Sequence, residues 1–390
     1  MPTPAKTDMI FYVSDKRIGA IRPDGTGECA PHFSAPNQAT WQMEYVFPDG
    51  TQAVLLSQEP PKNPKASFYD QDGMAGAQTH LWRYDFQSKT MREIGLPPFM
   101  RLVGLIPDKN RFLASGNQNH IANIITSDLD GGTREEIWSG PGYAYGTSLS
   151  PDGGKAAHHV TGTPGRPGYE IYVVDLDTKA CTLIASDPEF LQFGPLWSPD
   201  GNWLVYQRCL YHQDPGHDRS DVCISRADGS EHRVLTTGQS HWFATSYGTP
   251  ARHGSGSNMP IWSPNGRVTC ALLLPDSQSA WPYAVGRPDT DHFNRDYKPE
   301  WARGGTQICL IDPQTDKITP ITHDNPPTWN FRLAWSPDGA QLAFIKADVG
   351  CLSELWVMNA DGSNRRRLSC GTNGTGVDHP RWVRLVVPSL

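Results

Sequence analysis

Apolar positions in this chain fall in short runs, and one punctuation mark separates them again and again. An apolar residue, often tryptophan, is followed by a Pro-Asp-Gly or Pro-Asn-Gly turn and then by another apolar run. The mark appears as Phe47-Pro48-Asp49-Gly50, Ile106-Pro107-Asp108, Leu149-Ser150-Pro151-Asp152-Gly153 and Trp197-Ser198-Pro199-Asp200-Gly201. It returns as Trp262-Ser263-Pro264-Asn265-Gly266 and Trp335-Ser336-Pro337-Asp338-Gly339. Glycine accepts positive φ and proline fixes the preceding corner, so these turns suit hairpins. A second, polar mark follows each first one: Tyr84-Asp85, Asp128-Leu129-Asp130-Gly131, Asp175-Leu176-Asp177, Ala227-Asp228-Gly229, Asp312-Pro313 and Ala360-Asp361-Gly362. Each block therefore reads strand A, turn, strand B, variable loop, strand C, turn, strand D. Six blocks are complete. A bare four-stranded unit takes roughly 40–45 residues, so the surplus length lies in inserted loops.

The two ends of the chain supply a seventh block. Met9-Ile10-Phe11-Tyr12-Val13, the run Arg17 to Ile21 and Arg22-Pro23-Asp24-Gly25 read as strand B, strand C and the C–D turn, with no strand A before them. Asp378-His379-Pro380-Arg381-Trp382-Val383 reads as a strand A with nothing after it. Joined, they close a ring and remove the open sheet edges that would otherwise aggregate. A two-layer sandwich has no use for such complementarity. The pattern thus predicts an all-β fold: a seven-bladed β-propeller of four-stranded antiparallel blades. Its ring is closed by N- and C-terminal strands in one blade, and residues 1–390 form a single domain.

Composition agrees and narrows the function. With 13 tryptophans, 37 glycines and 34 prolines, the chain has the profile of a packed all-β protein rich in tight turns. The net charge of −7 offers nothing to attract DNA, RNA or an anionic membrane. No apolar run approaches the roughly 18–20 residues of a membrane span, and the first residues show no basic patch leading into an apolar core. The eight cysteines form no Cys-x-x-Cys pair and read as reduced thiols, so the expected compartment is the cytoplasm.

In such blades the A–B and C–D turns lie on one face and the B–C and D–A loops on the other. Every long segment belongs to the second face: 58–79, 207–220 and 275–305 between B and C, and 239–257, 322–330 and 370–378 between D and A. Long insertions gathered on one face of a rigid scaffold suit a binding site. Most of the 13 histidines fall there as well. His212, His217, Asp218 and Arg219 share one loop, and His241, Arg252 and His253 share the next. His158 and His159 end the preceding B strand, and segment 281–305 reads as a lid carrying His292 and Arg295. Strand A lines the axial channel, and period-two alternation places Gln42, Glu44, Arg101, Gln192, Ser257, Asn330, Arg332 and His379 at its rim. Trp242, Tyr247, Trp281 and Tyr283 are suited equally to stacking on sugar faces and to packing their own loops together.

The Trp-Ser-Pro-Asp-Gly and Asn-Ala-Asp-Gly repeats resemble the propeller of TolB and its relatives over nearly the whole chain. Tyr143-Ala144-Tyr145-Gly146-Thr147 before the fourth blade's turn, and Phe193-Gly194-Pro195 in the fifth blade, resemble stretches of the oligogalacturonate lyase family. So does the His- and Asp-containing loop ending near Arg219. That family implies a cytoplasmic seven-bladed propeller that cleaves uronate oligosaccharides by β-elimination. A divalent cation and an arginine neutralise the carboxylate, and a histidine takes the proton at C5. The proton α to a carboxylate is very weakly acidic, so preorganised positive charge must stabilise the developing enolate. Histidine suits the base because it titrates near neutrality.

Two family positions differ here. Met259 stands where the lyases carry their catalytic histidine, and Trp329-Asn330-Phe331-Arg332 replaces the histidine-rich metal motif.

Two functions follow. The first is a carbohydrate-active lyase with a rebuilt site. Its catalytic candidates are His217, Arg219, His241, Arg332 and His379. Its substrate contacts are Gln42, Glu44, Tyr145, His212, Arg252, His253, His292, Arg295 and Asn330. The resemblance adds a divalent ion, manganese or calcium, and the negative net charge favours a small carbohydrate ligand over a long anionic polymer. The second is a non-catalytic interaction propeller, as TolB is. An orphaned peptidase propeller is set aside, because no Gly-x-Ser-x-Gly nucleophile elbow is present.

Overall fold

The Pro-Asp-Gly marks fold as the pattern requires. In the turn after Leu149, the Ser150 hydroxyl donates to Asp152 at 2.6 Å and accepts the amide of Lys155 at 2.9 Å. The same clasp recurs at Ser198, Asp200 and Trp203, and at Ser336, Asp338 and Gln341. The hydrogen bond from the serine is the largest influence holding Asp152, Asp200 and Asp338 below the ordinary carboxylate range. Each turn is therefore a charged, self-satisfied hairpin corner.

The computed structural model describes residues 6–28, 39–59, 78–107, 109–118, 121–161, 168–210, 219–240, 247–249, 252–254, 258–282, 297–371 and 375–386. The chain opens with β1 (Lys6–Ser14) and β2 (Arg17–Ile21). Blade 2 holds β3 (Thr40–Val46), β4 (Gln52–Gln58), β5 (Thr79–Asp85) and β6 (Met91–Ile94). Blade 3 holds β7 (Met100–Ile106), β8 (Arg111–Gln118), β9 (Ile121–Asp128) and β10 (Arg134–Pro141). Blade 4 holds β11 (Tyr143–Leu149), β12 (Lys155–Thr161), β13 (Glu170–Asp175) and β14 (Cys181–Ala185). Blade 5 holds β15 (Phe190–Trp197), β16 (Trp203–Leu210), β17 (Ser220–Arg226) and β18 (Arg233–Val234).

A hairpin of β19 (Tyr247–Thr249) and β20 (Arg252–Gly254) lies in the next D–A segment, where the sequence pattern gives no strand. Blade 6 holds β21 (Ile261–Trp262), β22 (Val268–Leu273), β23 (Thr306–Ile311) and β24 (Ile318–Pro320). Blade 7 holds β25 (Trp329–Trp335), β26 (Gln341–Ala347), β27 (Glu354–Asn359) and β28 (Arg366–Ser369). The last strand is β29 (Val377–Val386). Blades 2 to 7 are four-stranded antiparallel sheets in chain order, and β29, β1 and β2 form blade 1.

The terminal strands thus complete one blade, as the sequence implies. β29 runs antiparallel to β1 from Lys6↔Val386 to Ser14↔Val377. Arg384 clamps Asp8 across this seam through Nε at 2.6 Å and Nη2 at 3.1 Å.

Apolar clusters then join each blade to the next around the circle. Blade 1 meets blade 2 through Met9, Phe11 and Trp41, and meets blade 7 through Ile10, Trp382 and Phe331. Both faces of the middle strands are buried, so Ala53-Val54-Leu55-Leu56 is a continuous apolar run instead of an alternating one.

The marker tryptophans add a directional tie. Trp197 Nε1 donates to the Ser148 carbonyl of blade 4 at 3.2 Å, and Trp262 Nε1 to the Leu196 carbonyl of blade 5 at 3.0 Å. Trp335 Nε1 reaches the Thr269 hydroxyl of blade 6 at 2.9 Å.

Gly50 and Gly266 occupy equivalent turns with the same φ of +76°, but only Gly50 abuts the closing strand. A Cβ there comes within 2.7 Å of the Val386 amide and 2.8 Å of the Arg384 carbonyl, whereas nothing lies within 4 Å at Gly266. Gly266→Ala is expected to cost about 1 kcal/mol, the penalty for the left-handed backbone alone. Gly50→Ala should cost about 2–3 kcal/mol, because the seam must also shift. Urea midpoints of the two variants at matched slope check the difference.

Candidate functional site

Strand A of each blade lines the axis, and these inner strands are bulged. In blades 4, 5 and 7 two consecutive residues oppose a single partner: Gly146-Thr147, Gly194-Pro195 and Arg332-Leu333. In blade 1 the same place in the ladder is taken by His379-Pro380, between the pairs Phe11↔Arg381 and Val13↔Asp378. The first residue of each bulge has left-handed backbone, with φ of 59° at Gly146, 66° at Gly194, 50° at Arg332 and 52° at His379. Bulges re-aim side chains and recur beside functional sites.

On the side of the ring formed by blades 7, 1, 2 and 3, these strands gather a charged cluster. Arg101 of β7 bonds Glu44 of β3 at 2.6 Å, and Gln42 donates to the same carboxylate. Arg332 of β25 approaches Asp378 of β29 at 3.2 Å, and His379 Nδ1 lies 3.4 Å from Asp378. Arg381, two residues on, acts electrostatically on Glu44 together with Arg101. Burial pushes the Glu44 carboxyl up, but Arg101, Arg381 and the hydrogen bonds outweigh it and hold the group below the usual range. Burial, then Glu44 and Arg101, set the Arg381 guanidinium, which is drawn down from its ordinary value.

His379 is pulled down to about 4, first by burial and then by Arg332 and Arg101, with Asp378 and Glu44 opposing. Its ring keeps 40% of its surface reachable by water while protein closes round it in most directions. That is the situation of a side chain lining a shaft, not of one sealed in a core. At neutral pH the cluster therefore presents a neutral imidazole beside three guanidiniums and two carboxylates.

The structure brings together Gln42, Glu44, Arg332 and His379 of the expected site residues, with Arg101 from the expected rim. It adds Asp378, which the period-two reading passed over because the bulge at His379-Pro380 breaks the alternation, and Arg381, two residues beyond His379. Asn330 is a correction. Its side chain is fully buried, donating to the Thr306 carbonyl at 2.9 Å and to Asp324 at 3.0 Å, so it braces blades 6 and 7 and does not face the mouth.

Gln192 turns into a cleft between blades 4 and 5, beside Arg208 and His232. His158 and His159 are both buried. His158 packs between Trp138 and Tyr172, and the His159 Nδ1 accepts the Gly194 amide at 3.1 Å. Arg219 is exposed immediately before β17, the third strand of its blade. His212, His217, His241, His292 and Arg295 lie outside the described residues, as do the side chains of Tyr145, Arg252 and His253.

Among the described residues, the axial donor set does not fit a divalent ion. Glu44 and Asp378 are each committed to an arginine, and among the described residues no three His, Cys, Asp or Glu side chains converge as ligands. Among those residues no helix is long and apolar enough to cross a membrane.

Comparison with solved structures places the chain in the propeller fold. An oligogalacturonate lyase in complex with manganese is 14% identical with a TM-score of 0.56, over 95% of this chain and 86% of that one. A putative 6-phosphogluconolactonase from Bacteroides uniformis is 10% identical with a TM-score of 0.57, over 97% and 99%. TolB from Acinetobacter baumannii is 16% identical with a TM-score of 0.46, over 94% and 78%. No family model matches the chain.

The buried His158 gives the fold an acid sensitivity of its own. Burial lowers its folded pKa to about 3 from an ordinary 6.5, so the unfolded chain takes up that proton first. Stability is full above about 6.5 and is lost as pH falls toward 3. Thermal melts of His158→Phe should show a shallower loss of Tm between pH 6.5 and 4 than the parent protein.

Proposed function

We propose that the axial cluster is the active site of a lyase acting on a small uronate-containing oligosaccharide. The observation that carries this reading is a neutral imidazole, His379, set among Arg101, Arg332 and Arg381. Elimination next to a carboxylate asks for two things at once: positive charge on the carboxylate and an unprotonated base within reach of the α-proton. Guanidiniums supply the first in a planar geometry that matches a carboxylate oxygen pair. Burial first, and then Arg332 and Arg101, supply the second, because together they keep the imidazole unprotonated well below neutrality.

In this scheme the uronate carboxylate enters beside Arg332, with Arg101 and Arg381 completing the positive wall. His379 takes the proton at C5, and the electron pair left behind forms the C4–C5 double bond. The C4–O bond breaks, the leaving oxygen takes a proton from water, and the hydroxide so formed takes the proton back from His379. The products are an unsaturated uronate and a new hydroxyl end. Asp378 contacts both Arg332 and His379 and so fixes their relative placement. Glu44 orients Arg101 in the same way. The fold shared with an oligogalacturonate lyase is compatible with this chemistry, and the residues are this chain's own. No step passes through a metal ion.

Incubation with short oligogalacturonates should produce absorbance near 235 nm from the unsaturated product. His379→Ala and Arg332→Ala should each lower kcat/KM by about 100-fold or more. Activity should hold from neutral pH down to about 5 and fall as pH drops through about 4, where the imidazole protonates. Tight binding with no unsaturated product across the panel would leave a binding protein in place of the lyase.

A further inference from the structure

Gln192 opposes Arg208 across the ladder of blade 5, and Arg208 opposes Asp221 on the third strand. Opposed residues share one face of a sheet, so the three form a row, and the row is turned toward blade 4. There it meets the residues that end and follow β14, and a cleft of about 270 Å³ opens between the two blades. Ser186 and Asp187 form one wall; Phe190, Gln192 and Arg208 form the other, and His232, just before β18, completes it. That volume lies at the small end of ligand sites and suits a molecule of a few heavy atoms.

The polar groups of this cleft have hydrogen-bonding capacity that the protein does not use. Arg208 lies over the Phe190 ring, its guanidinium carbon 4.4 Å from the ring centre, so one flat face is covered. Its Nε stands 3.5 Å from Asp221 and is buried without a hydrogen bond. Asp221 is held elsewhere, accepting the Gly238 amide and the Thr236 hydroxyl. Arg384, by contrast, forks onto Asp8 at 2.6 and 3.1 Å, which is how a filled guanidinium looks in this molecule. Gln192 is 4% exposed, and among the described residues its side-chain amide has no hydrogen-bond partner. Buried polar groups are normally paired. Neighbouring arginine and glutamine donors with no partner in the protein therefore point to a ligand that accepts from both.

An acceptor of that kind is an oxyanion, and the stacking selects its shape. With Phe190 on one face, the guanidinium is open along its edge, where its N–H groups match two coplanar oxygens. Burial, and then Arg208, draw His232 below its ordinary value, so its ring is uncharged at neutral pH. Asp187, on the opposite wall, accepts the Glu189 amide at 2.9 Å, and its charge keeps an anion to the Arg208 side. Ser186 is turned to Glu170 at 3.0 Å.

We propose that the cleft between blades 4 and 5 is a binding site, separate from the axial cluster, for a short-chain carboxylate that lies edge-on against Arg208 and takes the Gln192 amide as a further donor. It uses none of the axial residues and does not rest on the lyase reading.

Acetate is the probe, titrated into the full chain and followed by ligand-observed NMR. Acetamide serves as its uncharged isostere and inorganic phosphate as a tetrahedral competitor. Arg332→Ala separates this cleft from the axial guanidiniums. Acetate should bind the parent and Arg332→Ala alike, and acetamide about tenfold more weakly or less. Arg208→Lys keeps a cation opposite Asp221 but loses the planar edge, and it should weaken acetate by about tenfold. Gln192→Leu should weaken acetate by about threefold and melt no lower than the parent, because the amide it removes has no partner to lose.

No acetate binding to the parent, binding that survives Arg208→Lys unchanged, or binding that disappears in Arg332→Ala overturns the proposal. Phosphate binding more tightly than acetate overturns the carboxylate class. A Gln192→Leu variant that melts well below the parent with acetate binding unchanged makes the glutamine a packing residue and overturns its role.

Discussion

Ring closure is the constraint on which everything else rests. A toroid of sheets has no internal edge only if the last strand meets the first, and here β29 does so along nearly the whole of β1, with Asp8 and Arg384 clamped across the seam. Once the circle is shut, each blade is packed on two sides by apolar clusters, and the inner strands are forced toward a common axis. The charged cluster is a product of that closure. Its members come from β25, β29, β3 and β7, and two of those strands are neighbours only because the chain's ends share a blade.

The inner strands cannot stay regular while converging. Extra residues are inserted where they pass closest, and each bulge turns the strand and re-aims what it carries. On one side the re-aimed position is glycine, backed by an imidazole and a thioether. On the other it is arginine and histidine among carboxylates. The asymmetry of the channel thus grows from a single repeated irregularity filled in two different ways.

Much of the fold was legible in the sequence, because hairpin corners leave an unmistakable signature. Serine, proline, aspartate and glycine each have a separate mechanical task in the Ser198–Gly201 turn, and the same letters recur wherever the task does. The split blade was legible too, from an unpaired strand at either end. The site was read less completely. Glu44, Arg332 and His379 follow from counting back along strand A, but counting in twos assumes an unbroken ladder. Past the bulge the count fails, which is why Asn330 was expected at the rim and found braced against Thr306 and Asp324. Asp378 escaped for the same reason. No local letter marks a bulge when its first residue is not glycine.

The tryptophan ties described between blades have a consequence for how the chain's ends are placed. Trp197, Trp262 and Trp335 each reach backward to the blade before, so those junctions carry their own fastening regardless of where the polypeptide begins. Position along the chain and position around the circle are thereby uncoupled. A circular permutant cut at another blade, with the present ends joined, keeps the same seven neighbours, and its opening merely moves to a different gate.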